Sequence, residues 1–234
     1  MPYRGMADDF AEIARTIARQ PNLPATLNAI VAHAAHTIPA AEEAAITVKQ
    51  GRGKYQTVAA TGDLPIAVDT IQYETEEGPC VDSLRAHRVF HTDDLAADGR
   101  WPVFGRLATR ATPVMSMLSH PLYLEDEETL GALNLYSTKP AAFTTTSVQV
   151  LNTLATHSAI AIAKANAEHR SVHLQVALAT NRTIGVAIGI LMATYKMTEQ
   201  QCFDILRMAS QNSHRKLRDV ALGVVDTGTL DLRP

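Results

Sequence analysis

Cysteine occurs only twice in this 234-residue chain, at Cys80 and Cys202, and the two take part in no CxxC or Cys/His cluster. That spacing argues against a zinc site, and neither a disulfide nor a bound metal is expected. No apolar run approaches the roughly 20 residues of a membrane span. The N-terminal "MPYRGMADDFAEIARTIARQ" is amphipathic and has no signal-peptide apolar centre. A cytoplasmic protein with no membrane partner is therefore expected. Net charge is scarce too, at −3, which excludes a global attraction to polyanions. Against these absences, 46% of the residues are hydrophobic, enough for one large domain or two small ones.

The charge is unevenly spread. Met1 to Thr180 carries 14 Lys/Arg against 19 Asp/Glu, whereas Asn181 to Pro234 carries 7 against 5. The basic excess is thus C-terminal, and much of it falls between Arg207 and Arg218. Before Pro140 both periodicities occur. Helical patterns run over Asp8 to Arg19 and Ala25 to His36, and β-rich runs follow in "AAITVKQ", "KYQTVAAT", "VMSMLSHPLYL" and "TLGALNLYS". Hairpin-like strands flanked by helices predict an α+β domain around an antiparallel sheet. Gly and Pro are then absent from Ala141 to Ile184, which predicts one long helix beginning near Thr144 to Thr146. Leu151, Ala155, Ser158, Ile162, Ala165, His169, Val172, Val176 and Ala179 alternate spacings of four and three, a heptad seam. Its second half is expected to pair with a partner chain as a coiled coil.

Three short helices are expected after that seam. In "RTIGVAIGILMATY", Gly185 and Gly189 lie one turn apart and suggest close approach by another helix backbone. "TEQQCFDILRMAS" opens with a capping box, Thr198 and Gln201, and places Cys202, Phe203, Leu206 and Ala209 at core spacing. Ser213 is expected to cap "HRKLRDVALGVV", whose buried stripe is Leu217, Val220, Ala221 and Val224. With Leu217 inward, Arg215, Lys216 and Arg218 can all reach solvent at about 100° per residue. Such a cluster at a helix start can hold phosphates, but it can equally be an ordinary solvated face.

The whole segment Arg182 to Val225 decides between these, because it resembles the ANTAR domain, a three-helix RNA-binding module of bacterial transcription antiterminators. The resemblance rests on Ile184, Ala187, Gly189, Leu191 and Met192, then "ASQ", then "RKLRDVA". Ile188 stands where many members carry Lys, which removes one phosphate contact, and His214 stands where Asn is usual. The region Asp8 to Ala167 resembles the GAF domains that accompany ANTAR in actinobacterial proteins, through "EEGPCVDSL", "DDLAADGRWPVFGRLA" and "SHPLYLEDEETLGALNLYS". The two resemblances imply a GAF-like sensor domain over 1–165 with a six-stranded antiparallel sheet and a pocket for an unknown small molecule. The resemblances place an ANTAR bundle over 182–234, and the heptad seam between the two domains predicts a coiled-coil linker helix over 166–181 and a homodimer paired along it. The implied function is antitermination or post-transcriptional control by binding paired RNA hairpins in nascent transcripts. Arg207, Arg215, Lys216 and Arg218 would hold phosphates, and Ser210, Gln211, Asn212 and His214 would meet loop bases. The alternative is a ligand- or redox-sensing GAF protein whose C-terminal bundle dimerises or contacts protein or DNA.

No catalytic residue and no cofactor are expected. Cys80 follows a Gly-Pro turn, where a thiolate can be stabilised. Methionine sulfoxide reduction by GAF domains uses more than one Cys, however, and this domain has one. A structural or inert Cys80 therefore ranks ahead of a redox sensor, and a sensor ahead of a catalyst. His169 and His173, one turn apart, lack a third ligand and are assigned no role. Trp101 is expected to cap the core rather than line a pocket.

Overall fold

The computed structural model describes residues 3–50, 54–124 and 130–230, the side chains of 3–10 and 173 apart. Part of the GAF-like stretch, "EDEET", lies outside the described residues, as does one side chain of the histidine pair. The chain divides into two units, Met1–Ala167 and Glu168–Pro234.

The first unit opens with α1 (Tyr3–Ala18) and α2 (Leu23–Thr37). Asn22 caps α2 by accepting the Ala25 N–H at 3.0 Å, and the fixed φ of Pro24 suits the first turn. The sheet is antiparallel in the order β2-β1-β5-β4-β3. Its strands are β1 (Glu43–Gln50), β2 (Lys54–Ala60), β3 (Phe90–Thr92), β4 (Ser116–Leu122) and β5 (Gly131–Ser137). Five strands rather than the implied six are present among the described residues. Between β2 and β4 the chain instead winds into α3 (Asp63–Thr75), α4 (Pro79–Ala86) and α5 (Pro102–Ala111), leaving three-residue β3 as its only strand.

Alternation along the strands builds two different faces. Ala44, Ile46, Leu118, Leu133 and Leu135 point to an apolar layer shared with Ile30, Val31, Leu151 and Leu154 of the flanking helices. Ala45, Met117 and Tyr136 point the other way, into a second cluster with Val68, Trp101, Phe104 and Ala108. Covered on both sides, β4 and β5 are buried at every residue. Trp101 is buried in this second cluster and donates its indole N–H to Asp82 Oδ2 at 2.8 Å.

A single helix, α6 (Thr145–Tyr195), runs on through 51 residues. Thr144 and Ser147 exchange backbone and side-chain hydrogen bonds at its start, which fixes where it begins. The first of the three expected short helices is therefore the end of α6. Glycine costs a helix about 1 kcal/mol relative to alanine, and here Ala187, Ile188 and Leu191 hold the surrounding turns in a core. Among the described residues no other backbone approaches Gly185 or Gly189, since a Cβ built on either meets nothing within 4 Å. Among the described residues α6 is also long and apolar enough to cross a membrane by length and composition alone. The expectation concerns an unbroken apolar run, and α6 contains none of that length. Its Ala, Gly and Thr are only weakly apolar, so α6 qualifies by average without any unbroken run.

The second unit consists of the remainder of α6, α7 (Glu199–Ser213) and α8 (Leu217–Thr227). The expected capping box is formed: Thr198 Oγ1 accepts the Gln201 N–H at 3.3 Å, and Gln201 Oε1 accepts the Thr198 N–H at 2.9 Å. Cys202, Leu206 and Ala209 meet Val220, Ala221 and Val224 in one small core.

Candidate nucleic-acid interface

The turn between α7 and α8 carries most of the candidate residues, and its geometry follows from His214. That residue ends α7 in the left-handed region (φ 53, ψ 23). Ser213 closes α7, with its hydroxyl donating to Ala209 O at 2.6 Å. The expected cap on the last helix is therefore misplaced: Lys216 is the N-cap of α8, with no side-chain cap bond. An αL residue at the end of α7 reverses the chain before Ser213 could reach the α8 amides. Ser210 Oγ then donates to Arg215 O at 2.6 Å, tying the last turn of α7 to the residue just ahead of the α8 N-cap.

The cations distribute around this turn. Arg215, Lys216 and Arg218 are all exposed at the start of α8, where the helix dipole and outward N–H groups favour an anion. Arg215 donates from Nη2 to Asp219 O at 3.3 Å, and Arg218 Nε lies 3.4 Å from Asp219 Oδ1. Both contacts are long and solvent-facing, so a phosphate can replace them at little cost. Arg207 sits two turns before the end of α7, paired with Asp204 at 3.4 Å. Gln211 and Asn212 are exposed, whereas Ser210 is half-buried. At about 100° per residue Ser210 and Asn212 lie on opposite flanks of α7, and Gln211 shares the outer face with Arg207. Asn212 and Arg215 line a groove of about 500 Å³ that runs between the end of α7 and α8.

Two departures from the family pattern gain a physical account. Ile188 is only 9% exposed and belongs to the core of α6, α7 and α8. The position faces inward, so this isoleucine fills core volume rather than vacating a phosphate contact. Position 214 needs positive φ, which Asn, Asp and His adopt more readily than other side chains. The usual Asn and the His found here both meet that backbone demand.

Cys80 occupies a second polar site, in the first unit beneath α3 and α4. Gly78, at φ 127, turns the chain so that Pro79 starts α4. The Cys80 N–H then donates to Gln72 Oε1 at 2.9 Å. The thiol is fully buried and accepts from Asn134 Nδ2 at 3.1 Å. Burial, and then the nearby Asp69 carboxyl, push its pKa well up, which is the reverse of an activated thiolate. Asp69 is the centre of this cluster. Its Oδ1 accepts from Tyr136 Oη at 2.6 Å and Gln72 Nε2 at 2.8 Å. Its Oδ2 accepts from Thr57 Oγ1 at 2.9 Å and Thr47 Oγ1 at 3.2 Å. The Tyr73 hydroxyl bridges the same two threonines at 2.8 and 2.7 Å. Burial pushes the Asp69 pKa up, and those hydrogen bonds oppose the shift. This network was not anticipated. Asp69 in "AVDTIQ" belongs to no motif, and its partners are scattered from Thr47 to Tyr136.

Comparison with known proteins agrees with both units. The GAF domain family matches residues 20–163 and the ANTAR domain family residues 172–225. None of the curated proteins matches the chain. Among solved structures, the GAF domain of a phosphoenolpyruvate-protein phosphotransferase from Coxiella burnetii is 20% identical, with a TM-score of 0.57. The match covers 70% of this chain and 96% of that one. The corresponding domain from Acinetobacter is 19% identical with a TM-score of 0.56, over 70% and 96% of the two chains. A type II free methionine-R-sulfoxide reductase from Thermoplasma acidophilum is 16% identical with a TM-score of 0.50, over 61% and 93%. At these identities the likeness concerns the fold, and the fold does not carry the reductase chemistry with it. With the family match spanning more than half the chain and a helical output module behind it, the protein belongs to the GAF domain family and is a regulatory protein of the GAF-ANTAR type.

Proposed function

We propose that this protein binds paired RNA hairpins through its ANTAR unit, and that its GAF unit modulates the binding. The observation that carries this reading is the exposed turn where Arg215, Lys216 and Arg218 gather at the start of α8, beside exposed Gln211 and Asn212. RNA loops splay their bases outward, so a cationic turn with two amide side chains can hold the backbone and meet base edges together. Arg215, Lys216 and Arg218 hold phosphates, with Arg207 further along α7. Gln211 and Asn212 meet the bases, while Ser210 and His214 shape the turn. Bound in a nascent transcript, the protein would prevent terminator formation or alter access to a ribosome-binding site.

In this reading the protein works in the cytoplasm as a homodimer paired along α6 over 166–181, between a sensor over 1–165 and the bundle over 182–234. A small molecule or another signal acting on the GAF unit shifts the dimer between arrangements of its two RNA sites. The whole is a regulator without a catalytic site of its own. The test is selection from a library of tandem hairpins with randomised loops, followed by gel-shift titration of the winners against scrambled-loop hairpins and duplex DNA of equal length. Preference for the selected loops by tenfold or more is the expected result. Equal affinity for scrambled loops would remove base reading, and tighter binding to the duplex would turn the reading toward DNA.

A further inference from the structure

The heptad seam visible in the sequence does not remain open along α6. Its upstream members Leu151, Ala155, Ser158 and Ile162 are buried in the first unit, and it opens only from His169 to Ala179, with Val172 and Val176 at 58% and 50% exposure. A second line with the same alternation of four and three stays open for longer. It runs Ile160, Lys164, Ala167, Ser171, Leu174, Leu178, Asn181 and Gly185, roughly opposite the first line at 100° per residue. Ile160, Leu174 and Leu178 are 53%, 62% and 61% exposed, an unusual position for two leucines so near each other. The line ends where Ile188 turns into the core of the second unit.

We infer that a second copy of this chain packs in parallel against the Leu174–Leu178 face of α6, and not against the Val172–Val176 face. This rests on the homodimer proposed above and specifies its contact. Self-complementarity favours a second copy over any other occupant. On a parallel two-fold each residue of the line meets its own counterpart, so leucine meets leucine, and the Asn181 amide, both donor and acceptor, can pair with itself. Ala167, Ser171 and Gly185 are small, and a Cβ at Gly185 would meet open space, leaving room for a second backbone. The one charge on the line, Lys164, donates to Ala18 O at 3.3 Å on its own chain. From Ile160 to Gly185 the helix is about 39 Å long, and a strip about 10 Å wide along it covers roughly 400 Å² per chain. That falls short of a permanent interface, so the association is reversible on dilution.

Single engineered cysteines test the face directly, since both native thiols are fully buried. Leu174→Cys and Leu178→Cys in the full-length protein, under mild oxidation at tens of micromolar, are expected to cross-link to dimer at least tenfold more than Val172→Cys and Val176→Cys. The reverse pattern would overturn the face but keep the homodimer. Light scattering of the wild type at the same concentration separates the two ideas, because a monomer there would overturn both. Leu174→Gln with Leu178→Gln should shift the dimer midpoint to at least tenfold higher concentration with unchanged helix content. An unchanged midpoint would also overturn the assignment, as would association with phosphatidylcholine vesicles that the double variant abolishes without affecting the dimer.

Discussion

Asp69 combines full burial with four hydrogen-bond donors and no cation among its described contacts. Two of its partners, Thr47 and Thr57, are hydroxyls that can turn to accept as well as donate. Asn in its place can therefore keep Oδ1 toward Tyr136 and Gln72 and offer Nδ2 to the threonines. Asp69→Asn should be nearly neutral, whereas Asp69→Leu strands those polar groups and should cost about 3 to 5 kcal/mol in urea unfolding. The pH dependence follows from the raised pKa. A carboxyl that holds its proton more tightly when folded contributes stability below the unfolded value near 4, and that contribution fades as pH rises through the folded value. As pH rises from about 4, the wild type should thus lose more stability than Asp69→Asn. A smaller loss in the wild type would show that Asp69 is not the group responsible. His214 offers a second test on a single residue. If it serves the backbone, His214→Gly should raise stability by a few tenths to about 1 kcal/mol and leave hairpin affinity within twofold. A tenfold loss of affinity with stability intact would instead make the imidazole an RNA contact.

Among the helices and strands, what could be read in advance depended on how local the signal was. The four longer strands and the capping box at Thr198 are encoded by neighbouring residues, and they form where the pattern places them. β3 has three residues and takes its pairing with β4 from the fold, so no period-2 run marks it. The long helix is expected from the Gly- and Pro-free span that stops at Ile184, with a separate helix after it, yet α6 continues unbroken through Gly185 and Gly189, held by the core on its other side. That explanation can be measured. Gly189→Ala should raise the melting temperature in line with about 1 kcal/mol of added helix propensity, since nothing lies within 4 Å of the new methyl. A drop in stability would mean that another helix does pack against this turn. The Asp69 network and the bend at His214 were illegible for the same physical reason as β3. Each arises where residues distant in sequence, or a single backbone torsion, are fixed by packing.

For the molecule as a whole, a net charge of −3 coexists with a turn of three exposed cations, so electrostatics must act locally. Salt titration can separate a working patch from a merely solvated one. Lys216→Ala and Arg218→Ala should each weaken hairpin binding and reduce the slope of log affinity against log salt by about 0.7 per lost contact, because fewer counterions are released. Both side chains are exposed, so melting should barely change. Leu206→Ala, by contrast, deletes a fully buried side chain of the α6–α7–α8 core. It should cost roughly 2 to 5 kcal/mol and lose binding through unfolding. Leu217, only half-buried beside the cations, should cost less when truncated. Thermal melts run beside RNA titrations separate these failures. If the two cation variants bind hairpins like the wild type at every salt concentration, the turn is not the RNA contact and the interface lies elsewhere on the second unit.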